Sequence, residues 1–313
     1  MSTIITMPQV VSPMLAHTAE KPFDSGNHFF EIKWDGIRCL ALIRPGGQLV
    51  LQSRNFREIT PYFPELASLP QSCQAPAAIF DGELVVLNSQ SKSDFSLIQK
   101  RIRTTTAGRV ANYAVRFPAT YMVFDLLYLG TAELFHLPLA QRKKLLTTTL
   151  EESQRWVITQ PIHGLGKAYA ELVFAQGFEG IIAKDENSPY LPGKRSEFWL
   201  KIKNHKLLTA TIIGFTAPAK TNSVASLILA LPSHDDSWRY IGRVGTGFDT
   251  KTASSLLQIL AKNLIPNPPA PVPKTEKQSW WVRPFLRCRV EYLEFTSEGL
   301  LRHPVFKGII NDD

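Results

Sequence analysis

The chain's 313 residues, 44% of them apolar, leave room for about two domains, each with its own core. No stretch approaches the roughly 18 apolar residues of a membrane span, residues 1–11 lack the basic start and apolar run of a secretory signal, and Cys39, Cys73 and Cys288 are too scattered for a C-x-x-C site or a disulfide framework, which points to a reducing cytoplasm. Lys and Arg number 35 against 27 Asp and Glu, and the net charge of +8 favours a polyanionic partner through phosphate contacts and counterion release.

In chain order, residues 29–33, 39–43 and 49–52 are short, apolar and β-prone. Gly36 and the Pro45-Gly46-Gly47 turn punctuate them, so the spacing predicts an antiparallel meander. Residues 78–87 and 120–129 read as buried strands. Residues 93–103 and 139–152 read as amphipathic helices, with apolar side chains at three- and four-residue intervals. A third short helix is expected at 168–176, then strands at 181–183 and 198–202. After about Lys206 the character changes: 209–215, 226–231, 239–244 and 287–295 are β-like, with one helix near 250–263. The proline-rich stretch 266–273 cannot join a central strand and is expected as an exposed loop. About five strands and one helix in about 105 residues suit a small barrel of the oligonucleotide-binding type. The expected fold is α+β in two domains, 1–207 and 208–313.

The densest chemistry lies in Glu31-Ile32-Lys33-Trp34-Asp35-Gly36-Ile37-Arg38, where a lysine between apolar neighbours leads into an Asp-Gly turn. Taken alone, such a lysine is an exposed charge at a hairpin. Read as a nucleophile, Lys33 attacks the α-phosphate of a nucleotide, and an amine does so only when neutral. Lysine's ordinary pKa, about 10.4, leaves roughly one in a thousand neutral near pH 7.4, so burial and neighbouring cations have to favour the neutral form. Arg38, Arg54, Lys201 and Lys203 are the candidate cations, together with any bound metal.

This segment resembles the K-x-D-G-x-R signature of the covalent nucleotidyltransferases, which comprise DNA ligases, RNA ligases and mRNA capping enzymes. The family's further motifs follow in its order: Ser53-Arg54-Asn55, Asp81-Gly82-Glu83, the run 123–129 around Phe124, Glu179-Gly180-Ile181-Ile182-Ala183-Lys184, and Trp199-Leu200-Lys201-Ile202-Lys203. The resemblance implies a nucleotidyltransferase (adenylation) domain of antiparallel sheets with flanking helices, followed by an OB-fold barrel that contacts duplex backbone. It also implies roles. Lys33 would carry AMP, Glu31 would accept a hydrogen bond from the adenine amino group, and Phe124 would stack on the base. Arg38 and Arg54 would grip phosphate, whose oxygen pairs suit a guanidinium fork. Glu83 and Glu179 would hold ribose hydroxyls or a divalent metal, magnesium or manganese. Lys201 and Lys203 alternate on a strand and so share a face, aimed at the α-phosphate.

Within the family, Trp34, Pro13-Met14-Leu15-Ala16, Tyr190-Leu191-Pro192-Gly193-Lys194-Arg195-Ser196, Val244-Gly245-Thr246-Gly247-Phe248 and the segment 296–308 look like the ligase modules of bacterial double-strand-break end-joining systems. The resemblance implies an ATP-dependent DNA ligase acting on nicked or broken duplex DNA in repair, with a Ku-like end-binding partner. The expected protein is a nucleoid-associated cytoplasmic monomer that keeps clear of membranes. The length is expected to leave no room for added polymerase or nuclease modules. Two alternatives stand beside this reading: an RNA ligase or capping-type enzyme, and a non-catalytic DNA-end-binding scaffold. One departure is visible after Phe306-Lys307-Gly308, where Ile310 and Asp313 stand at positions that carry basic residues in the relatives. The missing charge, which would orient leaving pyrophosphate, implies slow self-adenylation.

Overall fold

Strand alternation and helical spacing organise the chain around three sheets, seen in a computed structural model that describes residues 7–217, 223–233, 235, 237–273, 278–296 and 298–310. Two compact units divide the chain, Met1–Asn204 and His205–Asp313.

The first unit holds two sheets. One has the order β1-β11-β10-β2-β9, from β1 (Leu15–Thr18), β2 (Ser25–Ile32), β9 (Ile162–Gly164), β10 (Gly180–Asp185) and β11 (Arg195–Lys203). The other has the order β4-β3-β5-β6-β7, from β3 (Ile37–Ile43), β4 (Leu49–Ser53), β5 (Ala78–Val86), β6 (Ala119–Leu129) and β7 (Ala132–Glu133), with β8 (Trp156–Ile158) beside β6. Pairing is antiparallel except for β1 with β11 and β6 with β8.

The expected meander through residues 29–52 is therefore half right. β3 and β4 form a hairpin, but β2 lies in the other sheet, against β10. The reason is steric and local. A Cβ at Gly36 would sit 2.3 Å from the Leu84 carbonyl oxygen, so only glycine lets the chain pass flush under β5 and start β3 there.

Helices α1 (Phe95–Arg103), α2 (Ala107–Arg116), α3 (Leu139–Thr149) and α4 (Gly166–Ala175) accompany these strands. Asp94 caps α1 by accepting a hydrogen bond from the Leu97 amide at 3.1 Å, one of the free donors of a helix start. α2 has no counterpart among the sequence expectations. One apolar cluster, with Cys39, Phe80, Tyr121 and Leu146, fills one side of the β4–β7 sheet. Another, with Met14, Leu40, Phe124, Tyr190 and Trp199, joins residues of both sheets. Phe30, Ile181 and Ile202 pack with Ala170 and Val173 of α4. Arg142 of α3 is fully buried and grips Asp125 of β6 through two bonds of 2.8 and 2.9 Å, with further bonds to the Leu137 and Ser188 carbonyls. Such a pair fixes α3 against β6, because either charge left alone would be strongly destabilising.

The second unit contains β12 (Lys206–Thr216), β13 (Ser226–Pro232), β14 (Trp238–Val244), α5 (Thr250–Leu260), β15 (Leu264–Ile265), β16 (Trp280–Val282), β17 (Arg287–Tyr292) and β18 (Val305–Ile310). Long β12 pairs with β17 over its first half, β16 near its end, and β13 along the other edge. A single strand serving several partners is how a small antiparallel sheet of the OB type curls. β15 and β16 go beyond the strands expected from sequence, because two- and three-residue strands carry too little alternation to read; six-residue β18 does so as well, its apolar run being broken by Lys307-Gly308. Residues 266–273 form the expected loop, though Ala270 is buried beside Ile213 and Ile228. Ile310 ends β18 opposite Arg287, and Asp313 lies outside the described residues. No helix among the described residues is long and apolar enough to cross a membrane.

Candidate active site

Lys33 follows the last residue of β2, at the point where the chain leaves one sheet for the other. Its amide donates to the Gly180 carbonyl at 2.8 Å. A Cβ on Gly180 would lie 2.2 Å from the Ile202 carbonyl oxygen, so glycine is required for β10 to run this close to β11. Trp34 stands edge-on to Phe178 with ring centres 5.7 Å apart, which anchors the crossing to the segment before β10.

Residues paired across a sheet share a face. Ile182 is opposite both Glu31 and Lys201, Lys184 is opposite Trp199, and Gly180 is opposite Lys203. One sheet face therefore presents Glu31, Lys184, Trp199, Lys201 and Lys203. From the other sheet come Arg38 of β3, Glu83 opposite it on β5, and Phe124 of β6, with Arg54 just past β4. All these side chains and Lys33 line one cleft of about 390 Å³. Glu179 joins through a direct ion pair with the Lys33 ammonium.

The cleft's polar groups are closely tied. Glu31 is buried, and its Oε2 accepts from Lys184 Nζ at 2.8 Å and Thr159 Oγ1 at 3.1 Å. Lys143 Nζ lies 2.6 Å from Glu31 Oε1, so both carboxylate oxygens face an ammonium group. Burial alone would raise the Glu31 pKa, but Lys143 and Lys184 hold it below the ordinary carboxylate value. Burial brings Lys184 down to about 8 against the pull of Glu31, with Lys143 adding to the shift. Lys201 is lowered by burial and then by Arg195, Lys203 and Lys33.

Arg38 donates from Nε and Nη2 to the Asp81 carboxylate, each at 2.6 Å, and its guanidinium lies 4.6 Å from the centre of the Phe124 ring. Burial alone would lower the Arg38 pKa, and Asp81 raises it above the usual range. Most of the fork is thus engaged with Asp81. Asp81 also accepts from Tyr190 Oη at 2.7 Å, and Tyr190 Oη accepts from the Met14 amide at 2.9 Å. The upstream Pro13–Ala16 and downstream Tyr190–Ser196 motifs meet here, behind the arginine.

A cleft of this size falls in the range of small-ligand sites, roughly 300–1,000 Å³. Beside the Glu31 carboxylate, the donor Trp199 Nε1 is buried without a hydrogen-bond partner. An acceptor and a donor beside an aromatic ring suit the edge and face of a purine. Among the described residues no group of three or more His, Cys, Asp and Glu could cage a metal. Glu83 and Glu179 offer instead the one or two carboxylates that magnesium takes together with substrate phosphates.

Sequence reasoning assigned no role to Lys143, Lys184, Arg195 or Trp199. The last three sit inside recognised motifs, and strand alternation would have placed Lys184 and Trp199 on the cleft face. Nothing local points to Lys143, since its partner Glu31 lies on a distant strand.

Two family models match the chain: the ATP dependent DNA ligase domain over residues 13–203 and the ATP dependent DNA ligase C terminal region over 220–313. The chain is 32% identical over 311 residues to the multifunctional non-homologous end joining protein LigD of Mycolicibacterium smegmatis, covering 97% of this chain and 39% of that protein. It is 31% identical over 259 residues to DNA ligase C1 of the same species, covering 80% of this chain and 72% of the relative. The chain thus spans about two-fifths of the length of the LigD relatives it matches. The crystal structure of the ligase domain from M. tuberculosis LigD superposes with a TM-score of 0.56 at 30% identity, over 96% of this chain and 95% of that one. Matched by both models across most of its length and by relatives at 31–32% identity, the chain belongs to the ATP-dependent DNA ligases.

Proposed function

We propose that this chain seals 5′-phosphate/3′-hydroxyl breaks in duplex DNA through a lysyl-AMP intermediate on Lys33 and an adenylated DNA end. The convergence of Lys33 with Glu31, Arg54, Glu83, Phe124, Lys201 and Lys203 on one cleft carries this reading. Lys33 Nζ attacks the α-phosphorus of ATP, forming a P–N bond as the bond to pyrophosphate breaks. The neutral amine loses one proton, to water or the departing pyrophosphate, and keeps the other in the phosphoramidate N–H. The Glu31 carboxylate reads the adenine amino group, and Phe124 offers a ring face to the base. Arg54, Lys201 and Lys203 neutralise phosphoryl charge as it develops. AMP then passes to the 5′-phosphate of the break, and the 3′-hydroxyl displaces it. A divalent metal, held by Glu83 and Glu179 with the substrate phosphates, would spread the charge of each transfer.

The first unit, Met1–Asn204, is the adenylation domain in this proposal, and the second, His205–Asp313, the duplex-binding one. We take non-homologous end joining, which the names of the LigD relatives carry, as the setting, with the chain acting as a nucleoid-associated cytoplasmic monomer beside a Ku-like end-binding protein. Recognition rests mainly on phosphate and is independent of sequence. The test is a side-by-side sealing assay on nicked DNA, nicked RNA–DNA hybrid and blunt ends, after incubation with labelled ATP or GTP and metal. Covalent AMP with DNA sealing is expected. Retention of GMP, or no covalent nucleotide at all, would overturn the proposal.

A further inference from the structure

β4 does not simply end at Ser53. The Ser53 amide donates to the Arg57 carbonyl at 2.9 Å and the Phe56 amide to the Ser53 carbonyl at 3.0 Å, while Ile59 pairs back to Leu51. These bonds close a hairpin with a three-residue loop, Arg54, Asn55 and Phe56. Such a loop is a tight turn followed by one residue in the left-handed region, a position that suits glycine. Phe56 occupies it, at φ +62°. The residue is 52% exposed, and it belongs to none of the apolar clusters of its unit.

The phenyl group therefore carries two costs. A residue with a Cβ is strained at this φ where glycine is not, and an aromatic ring is left largely in water. Membership of an apolar cluster, which would offset them, is absent for Phe56 among the described residues. The loop's position indicates what does. Arg54, two residues earlier in the same loop, lines the cleft with Lys33. Arg57, on the other side, is also exposed and stands over the Tyr62 ring at 5.0 Å. A ring between two exposed guanidinium groups, at the mouth of a phosphoryl-transfer cleft, matches a polyanion that also presents flat apolar faces.

We infer that Phe56 is a DNA-contact residue, whose ring packs on the sugar and base of the nucleotide carrying the 5′-phosphate while Arg54 faces that phosphate. This rests on the DNA-sealing reading above. The contact works with any base, since every base has a π-face. It positions the DNA end for AMP transfer and takes no part in loading AMP onto Lys33.

The test compares Phe56→Gly, Phe56→Asn and Phe56→Trp in the full chain, by titration with a nicked 5′-phosphorylated duplex at several salt concentrations. Gly and Asn accept the left-handed backbone, so they should unfold at a temperature no lower than the parent. They should still bind the duplex about tenfold more weakly, about 1.4 kcal/mol. The slope of log affinity against log salt should not change, because an aromatic contact releases no counterions. Trp should restore affinity to within about twofold, and lysyl-AMP formation without DNA should match the parent in all three. Unchanged affinity in Gly and Asn overturns the inference. So does a loss that alters the salt slope, or one that tracks a lowered unfolding temperature and is not rescued by Trp. If the parent itself binds no DNA, the sealing proposal fails instead, so the two failures are distinguishable.

Discussion

The ammonium of Lys184 lies 4.0 Å from the centre of the Phe124 ring, a cation–π distance. The same ammonium donates to Glu31, which also pairs with Lys143. One buried carboxylate thus faces two buried ammonium groups, so the three side chains together carry a net positive charge. A base stacking on Phe124 has to share the ring with Lys184, and Glu31 is the group that keeps both lysines in place.

This arithmetic of charges makes the three residues unequal. Glu31→Gln leaves two buried ammonium groups without the carboxylate they pair with and should cost about 3–5 kcal/mol of unfolding free energy. Lys184→Met leaves a balanced Glu31–Lys143 pair and should cost less than half as much, about 0–2 kcal/mol. Urea denaturation of both variants measures the difference. Equal losses, or a tolerant Glu31→Gln, would contradict the pairing described.

Glu83 makes stability depend on pH. Burial pushes its carboxyl up to about 8, against Arg38 and Lys33 and with help from Asp81 and Glu179. The folded chain then holds a proton that the unfolded chain releases near the ordinary value of 4.5. Stability is fully present below that value and is lost as pH rises through about 8. Glu83→Gln stays neutral and lacks this loss. Thermal unfolding without metal or nucleotide should give similar Tm values for parent and variant at acid pH, and a variant more stable by several degrees at mildly alkaline pH. Parallel curves would show that Glu83 is already ionised in the fold.

Much of the cleft was legible because its side chains sit inside short motifs at fixed spacing, as Lys201 and Lys203 do. What was not legible depends on which strands pair. Alternation identifies 29–33 and 39–43 as strands but says nothing about whether Gly36 is a hairpin turn or a crossing between sheets, so the meander expectation failed there. Lys143 sits on a helix face with no local feature to set it apart from Lys144, and only the folded chain brings it to Glu31. Arg38 reads as a phosphate ligand in sequence, yet Asp81 takes two of its nitrogens, a partnership set by the register of β3 on β5. α2 is hard to read because Gly108 stands in its first turn and Asn112 in its middle, both weak helix formers, although Thr106 before it is a favoured N-cap type.

DNA affinity should fall steeply with salt and vary little with sequence. The net charge of +8 and a backbone-tracking mode imply several phosphate contacts, and each contributes roughly 0.9 to the slope of log affinity against log salt. Mobility-shift titrations on two unrelated nicked duplexes should give matching slopes well above one. A flat response would exclude a phosphate-based grip.

The most direct measurement is the intact mass of the protein after incubation with ATP and magnesium or manganese, for the parent, Lys33→Ala and Lys33→Arg. The parent should gain one AMP and lose it on adding nicked 5′-phosphorylated DNA, and peptide mapping should place the adduct on Lys33. Neither variant should gain mass, since alanine has no amine and an arginine stays protonated under working conditions. An AMP adduct on either variant, or one mapped to another residue of the parent, would contradict the assignment of Lys33 as the nucleophile.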